Sequence, residues 1–221
     1  MNTIKFLLVL AALTVSVNTA SAITLVSTGD AGYYNDSLGT LLNNTNGGDT
    51  ASGYFPTGND SNVTFPIAPD LSSVSAILGD WLANPLSLNS NWSYETSIPN
   101  NWAVGTEVAV MYRFDTLSAT NVVAQFGVDN GIFAWLDGNY LGGARAAGSY
   151  SLGEYVFNIG NLNSGTHFLQ LLLEDHGGSN GYAVQITADQ YTAAPVPEPA
   201  TLSLLGFGMA GLLFKRNKKT A

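Results

Sequence analysis

The fold is decided by the stretch EVAVMYRF, residues 107–114. Its side chains alternate along an extended chain, with Val108, Val110, Tyr112 and Phe114 on one face. Ala109, Met111 and Arg113 lie on the other. A period of two residues is that of a strand with one buried face. The stretch therefore predicts a half-buried β-strand.

Similar runs lie on both sides of this strand. They predict strands at residues 121–128, 132–136, 154–159, 167–173 and 182–188, and further ones at 23–27 and 63–67. The turn sequences between them tolerate positive φ, as in Asp129-Asn130-Gly131, Asp137-Gly138-Asn139 and Asn163-Ser164-Gly165. Short strands at this spacing favour an all-β sandwich or barrel. A helical turn is expected only near residues 71–82, and residues 23–58 are expected to be loops around a strand or two.

The second half of the chain carries three sequences in a particular order. They are VDNGIFAWLDG at 128–138, LNSGTHFL at 162–169 and EDHGG at 174–178. This order resembles the galactose-binding-like jelly rolls, and the resemblance spans about residues 81–188. It implies an antiparallel β-sandwich of the jelly-roll type. It also implies carbohydrate binding and a structural calcium ion, which members of that family often have, on loops too variable to assign residues.

The C-terminal end has three parts in a fixed order. Pro197-Glu198-Pro199 precedes an uncharged apolar run, residues 200–214, and a basic cluster that begins with Lys215 and Arg216. A helix over 200–214 would be about 22 Å long, which is short for a hydrocarbon core of about 30 Å. We therefore expect a transient sorting segment, with a single-pass anchor as the alternative. The basic cluster should stay cytoplasmic and the rest of the chain should lie on the far side.

This three-part order resembles the PEP-CTERM sorting signal of Gram-negative bacteria. The resemblance covers residues 196–219. It implies that an exosortase in the inner membrane recognises the signal through residues that match here, namely Pro197, Glu198, Pro199, Lys215 and Arg216. Proteins with this signal accompany exopolysaccharide production, so the resemblance implies a location in the cell envelope, on the outer surface or in the extracellular matrix.

The N-terminal end predicts a signal peptide. Lys5 supplies positive charge, residues 6–17 form an apolar core, and Ala20-Ser21-Ala22 is a small-residue cleavage pattern, with Ala20 and Ala22 at its key positions. The chain is therefore divided into a signal peptide at 1–22, a β-sandwich domain at 23–194, and a sorting segment at 195–221 with its membrane helix at 200–214.

Charge and cysteine content exclude several kinds of function. Only Arg113 and Arg145 of the seven basic residues lie within 23–194, against fifteen of the sixteen acidic ones, which gives that region a net charge of −13. Such a surface repels phosphates, so we expect no nucleic-acid partner. The absence of cysteine excludes disulfides, thiolate metal sites and a cysteine nucleophile. No cofactor is expected to be required.

Aromatic residues in polar surroundings are the candidates for carbohydrate contact, because sugar C–H groups pack on rings and sugar hydroxyls pair with polar side chains. Trp135 alternates within a strand and is expected in the core. Trp92 and Trp102 lie among Asn, Ser and Pro, so they are either exposed or packed under a long loop. The candidate contacts are Trp92, Tyr94, Trp102 and Tyr140.

Carboxylates in turns are the candidates for calcium, which prefers oxygen ligands. They are Asp129, Asp137 and Asp175. Turn-forming Asp residues that hydrogen-bond their own backbone explain the same positions without a metal, and this interpretation is favoured.

Two enzyme-like motifs fail on their context. GGSNG at 177–181 matches G-x-S-x-G, but a strand is predicted after it where a nucleophile elbow needs a helix. GFGMAG at 206–211 matches a dinucleotide fingerprint but lies in the apolar tail. The chain is therefore expected to be a non-catalytic exported protein that binds or accompanies exopolysaccharide. The alternatives are a structural or adhesive matrix protein without a defined ligand, and a polysaccharide-degrading enzyme.

Overall fold

Two antiparallel β-sheets pack face to face as a sandwich, which confirms the predicted fold class. The computed structural model describes residues 22–42, 63–145, 149–175 and 178–191. The predicted sorting segment and the predicted signal peptide, apart from Ala22, lie outside these residues. Within the described part of the chain, no helix has the length and apolar character that a membrane span requires.

Twelve described strands build the two sheets. In chain order they are β1 (Ile23–Ser27), β2 (Gly32–Gly39), β3 (Val63–Phe65), β4 (Ser93–Glu95), β5 (Glu107–Thr116), β6 (Ala119–Asp129), β7 (Gly131–Leu136), β8 (Asn139–Arg145), β9 (Tyr155–Leu162), β10 (Gly165–Glu174), β11 (Gly181–Ala188) and β12 (Gln190–Tyr191). A 3-10 turn (Ser72–Val74) and one short helix, α1 (Ser75–Leu78), lie between β3 and β4.

The first sheet has the order β1-β11-β6-β9. Strand β12 continues β11 along β6 in the same register, with Gln190 opposite Thr120. The second sheet has the order β3-β8-β7-β10-β5-β2-β4. Because β6, β9 and β11 belong to the first sheet and β5, β7, β8 and β10 to the second, the chain crosses repeatedly between the two layers.

All the strands predicted from the sequence are present, and all except β1 have at least one shifted end. The tight hairpin between β7 and β8 turns on Asp137 and Gly138, whose φ angles of +51° and +74° suit this turn. Strands β4, β8 and β12 were not predicted, and β2 was covered only by the expectation of a strand or two within residues 23–58. Strand β8 contains Gly142 and Gly143, which weaken any strand signal, and β2 places the polar Asn35 in a buried position where its amide donates to the Ile77 carbonyl.

The main core lies between the two sheets. It combines the inward residues of β5, β7 and β10 with those of β6 and β11, among them Val110, Phe126, Leu171 and Ile186. The hydroxyl groups of Tyr112 on β5 and Tyr182 on β11 hydrogen-bond across this core at 2.5 Å. Burial raises the pKa of Tyr112 to about 12, although its hydrogen bond with Tyr182 acts in the opposite direction.

A second apolar cluster covers the outer face of the second sheet. Trp81 and Trp92 pack there on Trp135 and on Met111, together with Leu38, Leu42 and the residues around α1. Residues 107–114 do form a strand, β5, but the prediction that only one of its faces is buried is wrong, since every residue of that stretch except Arg113 is buried. An alternating pattern does not reveal that a later segment covers the second face.

Polar contacts fix this covering segment, residues 71–92, to the sheet. The Gln170 amide donates to the Trp81 carbonyl at 2.8 Å and accepts from the backbone N–H of Gly138. The amides of Asn89 and Asn91 both donate to the Ile77 carbonyl at 3.1 Å, which caps the end of α1. The predicted helical turn is thus real but short.

Candidate functional site

Trp92 is buried rather than available for a ligand. Its side chain is 8% exposed, it packs 5.5 Å from the ring of Trp81, and its indole N–H donates to the Leu78 carbonyl at 3.0 Å. Of the two alternatives drawn from the sequence, packing under a long loop is the one observed. Trp135 is also buried, as expected for a core residue.

Tyr94 and Tyr140 lie at the two ends of one row across the second sheet. The row runs Tyr94, Tyr33, Met111, Gln170, Trp135 and Tyr140, each opposite the next. Five strand spacings separate the ends, or about 24 Å. Tyr94 is 61% exposed, whereas Tyr140 is half-buried and donates its hydroxyl to the Phe65 carbonyl. These two candidates therefore do not form one site.

Trp102 closes one end of the main core. Its indole N–H donates to the Thr106 carbonyl at 2.8 Å and its ring lies 6.4 Å from that of Tyr182. The side chain of Asn180 hydrogen-bonds both the N–H and the carbonyl of Trp102. Because this indole is half-buried and its N–H is already hydrogen-bonded, Trp102 packs against the core rather than offering a polar group to a ligand.

The calcium candidates are divided between opposite ends of the sandwich. Asp129 and Asp175 lie at the end where β6 and β10 finish, and Asp137 lies at the far end of β7, about 20 Å away by strand length. Asp175 is buried and accepts from the backbone N–H of Gly105 at 2.5 Å. Among the described residues, no three His, Asp or Glu side chains are grouped so that they could hold a metal.

Asp137 is committed to a protein contact. One of its carboxylate oxygens accepts from the backbone N–H of Phe168 at 2.8 Å and the other lies 2.7 Å from His167 Nδ1. Burial disfavours the charged imidazole. The hydrogen bonds to Asp137 and to the Asn163 carbonyl, and the charges of Asp137 and Asp115, outweigh burial and raise the pKa of His167 above its usual 6.5.

This contact makes stability depend on pH. Because the folded pKa is the higher one, the stabilisation from His167 is complete below about pH 6.5 and is lost as the pH rises through the folded value. We expect His167→Gln to destabilise the protein more at pH 5.5 than at pH 8.5, as measured by urea unfolding of both chains. An equal loss at the two pH values would contradict this assignment.

The outer face of the first sheet is a surface without charge, half-buried in its middle and exposed at its edges. We call it the platform and define it by its outward residues: Thr24, Ser27, Val123, Gln125, Val156, Asn158, Ala183, Gln185 and Thr187. Their register places them in rows across four strands. One row is Ser27, Gln185, Gln125 and Val156, and the next is Thr24, Thr187, Val123 and Asn158. Val156 is 54% exposed at the edge of the sheet.

A loop forms a ledge along one side of the platform. Residues 149–154 cross over the sheet where Gly127 and Gly181 stand in place of outward side chains. A Cβ on Gly127 would overlap the backbone of Ser151, and one on Gly181 would overlap the ring of Tyr150. The two glycines thus let this loop rest directly on the strands, with the half-buried Tyr150 and the exposed Leu152 beside the platform.

The ledge is held by Glu154. Its carboxylate accepts from the backbone N–H of Ser151 at 2.8 Å and from that of Val128 at 3.2 Å. The Asn100 amide donates a hydrogen bond to the Tyr150 hydroxyl at 3.4 Å. The ledge is therefore held by contacts with β6 and with Asn100 as well as by its own hydrogen bonds. An extended ligand can contact the platform and the ledge at the same time.

Sequence reasoning missed the platform. Gln125 and Gln185 carried no motif, and their side-chain amides make no hydrogen bond with the described residues. The alternation of β6 and β11 predicts outward positions, but only the register shows that these amides are opposite one another. The uncharged character of residues 121–127 and 181–187 was the one available signal.

The G-x-S-x-G match fails in the structure as well. Gly181 begins β11, so a strand follows the motif where a nucleophile elbow requires a helix. The described part of the motif, residues 178–181, therefore lacks the backbone context that would activate Ser179.

Comparisons with solved structures give distant likenesses only. The chain is similar to a Bifidobacterium dentium beta-glucuronidase complexed with coumarin-3-O-glucuronide, with 12% identity over 61% of this chain and 31% of that one and a TM-score of 0.36. It is also similar to the PA14 domain of the antifreeze protein MpAFP, with 16% identity over 76% and 86% of the two chains and a TM-score of 0.35. The chain thus spans about a third of the glucuronidase, and likenesses this distant carry no argument about activity. No curated protein matches the sequence.

The C-terminal segment gives a definite match. Residues 195–218 fit the family of the PEP-CTERM protein-sorting motif. This confirms the resemblance drawn from Pro197, Glu198 and Pro199 and from the basic cluster behind the apolar run. The chain therefore carries a PEP-CTERM protein-sorting motif, which indicates export and membrane-associated sorting.

Proposed function

We propose that this protein is an exported, non-catalytic surface or matrix protein that binds carbohydrate of an extracellular polymer through the platform. The observation that carries the proposal is the uncharged, partly exposed outer face of the first sheet with its ledge. It replaces the aromatic candidates of the second sheet, because Trp92 is buried and Tyr94 and Tyr140 are far apart.

The chemistry of the platform suits sugars. The amides of Gln125 and Gln185 supply both donors and acceptors, and the hydroxyls of Thr24, Ser27 and Thr187 add more. Val123, Val156 and Ala183 lie between them and offer apolar contact to sugar C–H faces. The ring of Tyr150 at the ledge adds an aromatic edge.

The sorting motif supports a location of this surface outside the cytoplasm, because it indicates export. An exosortase in the inner membrane of a Gram-negative bacterium recognises the signal at Pro197, Glu198 and Pro199, while the apolar run 200–214 holds the chain in the membrane. The domain from residue 23 to 194, released from its signal peptide after Ala22, then faces the cell envelope or the extracellular matrix.

The test is binding to the extracellular polymer of the producing organism. We expect the variant Gln125→Ala with Gln185→Ala to bind about 5- to 150-fold more weakly in affinity electrophoresis. Two lost hydrogen bonds at about 0.5 to 1.5 kcal/mol each account for that change. The control variant, Asn84→Ala with Thr64→Ala, removes exposed polar groups away from the platform and should bind like the parent.

Other outcomes would favour the alternatives. Absence of binding by the parent protein, with altered cohesion of the matrix when the gene is deleted, would identify a structural or adhesive component without a defined ligand. Cleavage of the polymer during the assay would identify an enzyme. Equal binding by the platform variant and its control would show that the platform is not the binding site.

A further inference from the structure

We infer that the platform binds a neutral polysaccharide along the length of its chain rather than at its end. This inference rests on the proposed function and adds the charge class of the ligand and its mode of binding. Both follow from the shape of the platform and from the charges around it.

The platform is open at both edges of the first sheet. Thr24 on β1 and Val156 on β9 are exposed at opposite ends of its rows. Three strand spacings, about 14 Å, separate these edge strands. The ledge runs along one side only, across the strands, since it covers Gly127 on β6 and Gly181 on β11. A chain laid against the ledge can therefore extend beyond the protein in both directions.

An end-binding site would need a pocket that encloses a terminal sugar, whereas the platform residues stand in rows across a sheet with the ledge on one side. A platform with a ledge on one side makes weak contacts with several consecutive sugars rather than tight contacts with one sugar. Affinity should therefore rise with the length of the ligand.

The rim of the platform is acidic. Asp30 lies beside Ser27, Glu154 holds the ledge, and Asp189 hydrogen-bonds the Asn121 amide at the far end of β6. An acidic polymer on the platform would meet these carboxylates within about a Debye length. No platform residue carries a compensating charge.

Among the described residues, no exposed cation lies beside the platform to attract an acidic polymer. Arg113 and Arg145 are the two basic residues of the described chain, and both belong to the second sheet. Arg145 is buried and Arg113 is exposed on the outward side of β5, away from the first sheet. The sandwich core separates Arg113 from the platform. Arg145 lies nearer, since its carbonyl accepts from the Tyr155 hydroxyl on β9, but it is buried and presents no exposed charge to a ligand.

Bridging by calcium is also disfavoured at this rim. One Asp30 oxygen accepts from the backbone N–H of Ser27 at 2.7 Å. Both Glu154 oxygens accept from backbone N–H groups of the ledge and of β6. A calcium ion would have to compete with these bonds, and the described residues offer no third carboxylate beside either of them.

The test separates the extracellular polymer of the producing organism by anion exchange into neutral and acidic fractions. The exported protein is titrated with each fraction and with fragments of graded length. We expect binding to the neutral fraction, nearly independent of salt, and at least tenfold weaker binding to the acidic one. Affinity should increase with fragment length, and monosaccharides should fail to compete.

A charged variant sharpens this test. Thr187→Lys should gain about fivefold in binding to the acidic fraction at low salt and lose that gain at high salt. Thr64→Lys, an exposed threonine on β3 of the other sheet, should gain nothing. Circular dichroism and urea unfolding confirm that both variants fold.

The outcomes separate the two proposals. Preferential binding to the acidic fraction, or full competition by a monosaccharide, would overturn this inference and leave the proposed function standing. Absence of binding to both fractions would overturn the proposed function and this inference with it.

Discussion

Replacing Trp81 by alanine is expected to lower the free energy of unfolding by about 3 to 5 kcal/mol, the usual cost of truncating a large buried aromatic residue. Trp81 is only 2% exposed. It packs on Trp92 at 5.5 Å and edge-on against Trp135 at 5.7 Å. Its loss would leave a cavity over the second sheet and release the segment that covers it.

Urea unfolding at constant pH measures this effect. The control is Leu86→Ala in the same segment, because Leu86 is 72% exposed and exposed substitutions usually change stability by less than about 0.5 kcal/mol. A loss below about 1 kcal/mol for Trp81→Ala would show that the second cluster contributes little to the fold.

Replacing Gly127 by valine is expected to displace the ledge from the platform. The new side chain would overlap the backbone of Ser151, and a backbone segment cannot rotate aside as a flexible side chain can. Overpacking of this kind costs about 1 to 3 kcal/mol. The variant should therefore be less stable and should also bind polymer more weakly, because Tyr150 and Leu152 move with the loop.

The matched control is Ala183→Val, which adds the same branched side chain to the open platform opposite Gly127. Since Ala183 is only half-buried and valine suits a strand, stability should hardly change. Loss of stability without loss of binding in Gly127→Val would show that the ledge is not part of the site.

The strands were predictable because their alternation is local in the sequence. Val108, Val110 and Tyr112 predict an inward face whatever lies elsewhere in the chain. The second cluster was not predictable, because it joins Trp81 and Trp92 to Trp135 across more than forty residues of sequence. Trp92 was therefore a candidate for carbohydrate contact only because its sequence neighbours are polar, and in the structure it is buried.

The platform also depends on relations that no single segment contains. Gln125 and Gln185 become neighbours only through the pairing of β6 with β11. From the sequence alone, Gly127 and Gly181 suggest a bulge or a weak strand. Only the structure shows that the loop of residues 149–154 packs directly on these two glycines. The C-terminal motif is the opposite case, since its three parts are contiguous and were found from sequence alone.

Hydrogen exchange in the presence and absence of the extracellular polymer tests the central claim most directly. We expect the polymer to slow exchange in residues 123–127, 150–158 and 183–187, which carry the platform and its ledge, and to leave the segment from residue 71 to 92 unchanged. Protection confined to that covering segment, or to the aromatic edge at Tyr94, would contradict the account.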